Sequence, residues 1–110
     1  MTPTRALAYL DGIACRPGDF MLMKNAADGR GWEIGMVLDG DDTRWLGPSA
    51  RDHVVRNVAE IAESADDLVA LIVPRRDHLG EHLPLILPHT AVLIAATDEL
   101  IQRRPGETPR

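Results

Sequence analysis

Hydrophobic and polar positions along the chain fall into two halves with different periods. In the first half, short apolar runs are separated by turn residues. RALAYL and IAC flank Asp11-Gly12, a dipeptide that favours a tight hairpin between strands. Pro17-Gly18 marks another turn, and the mostly apolar stretch Phe20–Lys24 follows it as an expected strand. NAADGRG reads as a loop. WEIGMVL reads as a strand whose central Gly35 points to a bulge or a close backbone approach. LDGDDTRWL then turns back through Asp39–Asp42.

From Ser49 the period lengthens. In SARDHVVRNVAEIAES, Val54, Val58, Ile61 and Ala65 recur at helical spacing, and Val55 and Ala62 widen the stripe. Ser49 followed by Asp52 resembles a capping box, and Asp52–Arg56 is an i,i+4 ion pair in the favourable order. LVALIV, stopped by Pro74, is a continuous apolar run of the kind that forms a buried strand. In LPLILPH the prolines at 84 and 88 restrict any strand to a short or edge one. TAVLIAAT is a further strand, and Thr97-Asp98 is placed to cap a helical turn over DELIQRR.

Together these elements predict a mostly β fold of the α+β class. Its first half would be a small SH3-like β-barrel or meander, followed by one amphipathic helix over about 49–64 and strands over about 68–73 and 91–96. Residues 1–104 would form one globular domain, with 105–110 as a flexible tail.

Composition sharpens this picture only in places. Apolar residues make up 45% of the chain and charged residues 26%, an ordinary globular balance. The only aromatics are Tyr9, Phe20, Trp32 and Trp45, so the core rests on aliphatic side chains. Formal net charge is −5, and neither half is basic, which argues against a nucleic-acid partner. Cys15 is alone, so no intrachain disulfide framework exists. The N-terminus lacks the apolar core of a signal peptide, and no apolar run approaches the roughly 20 residues that span a bilayer. A cytoplasmic location is the resulting expectation.

The candidate chemistry concentrates between residues 75 and 89. HLGEH satisfies the H-x-x-E-H pattern of one class of zinc peptidases, in which two His on one helix face hold the metal. Gly80 between the two His and Pro84 just after them oppose such a helix. His78, His82 and His89 also form a looser set of candidate zinc ligands; the plain alternative is a polar loop with surface His. Asp39–Arg44 begins like a calcium loop, but Arg44 and Ala50 replace its required Gly and Glu, so turn formation explains it. No nucleophile elbow, phosphate loop or dinucleotide fingerprint occurs. Trp32, Trp45, Arg75 and Arg76 are the candidate partner-binding residues, since aromatic and Arg side chains dominate contact hot spots.

GDFMLM and LIVPRR are similar, in a limited sense, to the Gly-Asp and Val-Pro strands of the MazF/PemK-type ribonuclease toxins. That resemblance implies a barrel carrying nuclease chemistry on the Arg75–His82 loop. The chain departs from it in lacking an Arg-Pro ahead of the second apolar strand and a Ser/Thr after Val73-Pro74.

Two function classes follow. The first is a non-catalytic binding or assembly module, without a cofactor, acting on a protein partner or a second copy of itself. It is favoured because the catalytic inventory is thin and the second half is rich in Ile and Leu. The alternative is a small hydrolase, metal-dependent or ribonuclease-toxin-like, using the Arg75–His82 loop.

Overall fold

A computed structural model describes residues 5–10, 16–39, 50–64 and 67–102. The described residues form a mixed α/β fold. In chain order these are β1 (Arg5–Leu10), α1 (Asp19–Gly29), β2 (Glu33–Asp39), α2 (Ala50–Ser64), β3 (Leu68–Val73), two single 3₁₀ turns, α3 (Leu83–Ile86), β4 (Ala91–Ile94) and β5 (Glu99–Ile101).

The strands make one sheet in the order β2-β1-β3-β4-β5. β1 pairs in parallel with both β2 and β3, β3 pairs in parallel with β4, and only β5 is antiparallel. Parallel strands buried on both faces read as continuous apolar runs, which is what LVALIV and AVLI are. Alternation splits their side chains between two cores. Leu7, Tyr9, Leu71, Val73, Val92 and Ile94 pack with Val58 of α2 and Ile86 of α3. Ala6, Ala8, Ile72 and Leu93 pack with Met23 and Ala27 of α1 on the other face.

No barrel is seen among the described residues. The strand expected over Phe20–Lys24 is helical, as part of α1. DFMLMKNAAD contains no β-branched residue, and Met, Leu, Lys and Ala are strong helix formers. The hairpin expected at Asp11-Gly12, with its IAC arm, and Trp45 lie outside the described residues.

The helix expected over 49–64 is found as α2, with its predicted Val58 fully buried. β3 has the expected bounds, and the strand expected over 91–96 ends at Ile94. LPLI is helical, with Pro84 in its first turn, where the missing N–H costs nothing. ELI is extended because Asp98, at φ 52°, closes a turn that folds β5 back on β4. The apolar surplus that favoured subunit burial is largely absorbed inside one copy, as β3 and β4.

Gly35 behaves as its position implied. Ala6 pairs with Ile34 and Leu7 with Met36, so Gly35 is bulged out of the ladder. A Cβ there would collide with the Arg5 side chain.

Candidate functional site

The order β2-β1-β3 means that the chain leaves β1 in one direction and returns to β3 in the other, with α1 and α2 on opposite faces. The carboxyl ends of β1 and β3 therefore border a switch-point crevice, where open α/β sheets commonly bind ligands. Asp19 opens α1 beyond β1, and Arg75 lies just beyond β3.

These two side chains meet across the crevice. Arg75 Nη1 and Nη2 donate to Asp19 Oδ1 and Oδ2, both at 2.8 Å. The backbone N–H of Arg16 donates to Oδ2 at 2.7 Å, and His78 Nε2 lies 3.4 Å from the same oxygen. Asp19 is only 2% exposed and His78 is fully buried. Gly18, at φ 86°, makes the left-handed step that starts α1 with Asp19 pointing inward. The Arg75 hydrogen bonds hold the Asp19 carboxyl below its ordinary pKa of 3.8; burial opposes this, and the Arg16 N–H and the charges of Arg75 and His78 add to it.

That geometry binds the β1–α1 and β3–α3 segments together. It also assigns the sequence candidates. His78 ends the first 3₁₀ turn inside the protein, His82 ends the second turn half-buried, and His89 is exposed before β4. The helix that H-x-x-E-H requires is replaced by two separate turns broken at Leu79, with Gly80 at φ 56°. Among the described residues, no three His, Cys, Asp or Glu side chains are placed to hold a metal ion. Arg75 and Arg76 diverge: the first turns in to Asp19, and the second is exposed and pairs with Glu99 of β5 at 3.1 Å.

A second feature lies at the β2 edge of the sheet. α1 presents Phe20, Met21, Lys24 and Asp28 along one side of a groove of about 580 Å³. The other side is β2, with Met36 and Val37, preceded by Trp32. Met36 is 53% exposed, Met21 52%, Phe20 44% and Val37 41%. Of the candidate partner-binding residues, Trp32 alone lines this groove; it is half-buried, with the Arg30 guanidinium 5.5 Å from its ring centroid. Sequence reasoning missed Phe20, Met21, Met36 and Val37 because apolar side chains in expected strands read as core.

No family model matches the chain, and neither the curated proteins nor the solved structures give a match. Among the described residues, no helix is long and apolar enough to cross a membrane.

Proposed function

We propose that the chain is a non-catalytic protein-binding module whose contact surface is the β2 edge of the sheet together with the groove that this edge forms with α1. One observation carries this reading. Four large apolar side chains stand exposed together along a sheet edge, in a domain whose two cores are already filled by other residues. Clusters of that kind on a small domain mark interaction surfaces more often than scattered single residues do. Met and aromatic side chains are also enriched at such contacts.

The hydrolase alternative, built on Arg75, Arg76, Asp77, His78 and His82, draws less support. Of these, His78 has no exposed surface and Arg75 is engaged by Asp19, while His82 is half-buried and the exposed Arg76 pairs with Glu99. A general acid or base must come within hydrogen-bond reach of the substrate.

The reading requires the exposed cluster to be dispensable for folding. The double substitution Phe20→Glu/Met36→Glu is therefore expected to change unfolding stability by no more than about 0.5–1 kcal/mol, as surface changes do. Urea unfolding followed by circular dichroism, at a protein concentration too low for self-association, measures it. A loss of several kcal/mol, or an unfolded variant, would mean that these side chains belong to the protein's own core and that the face is not free for a partner.

A further inference from the structure

Resting on that reading of the α1–β2 edge, we infer that its occupant is a second copy of this chain, docked edge to edge through β2 about a two-fold axis normal to the sheet. Among the described residues, β2 is bonded to β1 on one side and to no strand on the other. Proteins commonly protect such edges with Lys, Pro or a bulge. EIGMVLD has neither Lys nor Pro, and its bulge at Gly35 leaves Met36, Val37 and Leu38 in register beyond it.

The distribution of side chains favours a strand over any one-sided partner. Met36 pairs with Leu7, whose side chain enters the core under α2, and Val37 pairs with Ala8, which faces α1. Successive side chains on a strand point to opposite faces. Exposed apolar groups therefore lie on both sides of this edge, and a partner resting on one face would leave the other uncovered. A strand added at the edge covers both.

A two-fold normal to the sheet sets the copies antiparallel and keeps each face with its like, giving an isologous contact. Side-chain matching then selects the register. Ile34 pairs with Ala6 and Met36 with Leu7, so the Gly35 bulge puts Glu33 on the same face as Met36 and Leu38. An axis at Met36 would set Leu38 of one copy against Glu33 of the partner subunit across that bulge. An axis at Val37 sets Met36 against Leu38 of the partner subunit and Val37 against its own image, apolar to apolar on both faces. Phe20, beside Val37 in the groove, extends the apolar contact on the α1 face.

Two measurements test this. In a Cys15→Ser background, Val37→Cys should form an intermolecular disulfide under mild oxidation. Directly opposed antiparallel residues lie about 4.5–5.5 Å apart at Cα, within the range a disulfide spans. Leu85→Cys, exposed on α3, serves as the control and should remain mostly monomeric on a non-reducing gel. In the unmodified chain, amide exchange over Met36–Leu38 should slow several-fold as concentration rises. A folded Val37→Cys chain that cross-links no better than the Leu85→Cys control would overturn the inference, as would exchange independent of concentration. If the Phe20→Glu/Met36→Glu variant is stable while these results are negative, only the second copy is lost as occupant. If that variant unfolds, the reading of the face falls and this inference falls with it.

Discussion

Replacing Asp19 by Asn is expected to lower the free energy of unfolding by about 2–4 kcal/mol at pH 7, somewhat less than the roughly 3–5 kcal/mol for breaking a fully buried ion pair because the Arg75 side chain is 23% exposed. The amide cannot satisfy the guanidinium of Arg75, which is mostly buried, and it removes the charge beside His78. Asp19 joins segments 56 residues apart in the chain, so losing it releases the start of α1 from the end of β3. The sign of the pH dependence follows from the carboxyl's depressed pKa. Its stabilisation is fully present above the ordinary value of 3.8 and is lost as pH falls through the lower folded-state value. Urea titrations from pH 7 downward should therefore show a gap between wild type and Asp19→Asn that closes only below pH 3.8. Removing both partners, as Asp19→Asn/Arg75→Met, should cost less than the two single changes added together, because neither charge is then left buried alone. A gap that was absent at pH 7, or that did not close as pH fell below 3.8, would mean that the pair is not formed as described.

The second large effect belongs to the sheet. Leu71 lies in β3, between β1 and β4, and is fully buried in the core beneath α2 and α3. Leu71→Ala should cost about 2–5 kcal/mol through lost transfer energy and the cavity left behind. Leu85→Ala, the same change at an exposed position on α3, should stay within about 0.5 kcal/mol. Similar losses at the two sites would contradict the placement of β3 at the centre of the sheet. Chemical denaturation of the pair decides the matter without a functional assay.

The uneven legibility of this chain has physical causes. α2 was readable because its apolar positions Val55, Val58 and Ile61 all face one core, so period and packing agree. β3 and β4 were readable because burial on both faces makes an uninterrupted apolar run. α1 was not, because its inward stripe is Asp19, Met23 and Ala27 while Phe20, Met21 and Leu22 face outward. A helix that buries an aspartate and exposes a phenylalanine inverts the usual pattern, and both departures lie in regions that now carry interest. The absence of β-branched residues in DFMLMKNAAD was the available signal for helix. Once α1 is read as a strand, the parallel β1-α1-β2 unit becomes a meander, and a barrel follows.

The candidate sites show the same division. Arg75 stands out in the sequence as part of a basic pair, but its partner Asp19 reads only as part of the Gly-Asp ahead of an apolar stretch. Only the fold brings the two together. Trp32 is legible from its residue type and lies along the groove, whereas the side chains that make the groove apolar have no distinguishing spelling. Exposure is a property of the tertiary arrangement. Here it arises because β2 ends the sheet and the side of α1 carrying Phe20 and Lys24 overlooks that edge.

Sedimentation velocity of the unmodified chain over a concentration series, repeated on Met36→Glu, tests the docking of a second copy on the β2 edge most directly. The account predicts a reversible dimer in the wild type that dissociates when a carboxylate is placed on the β2 edge, with the helical and sheet content of the monomer preserved. A wild-type chain that is monomeric at every concentration, or a dimer indifferent to Met36→Glu, would contradict the second copy as occupant.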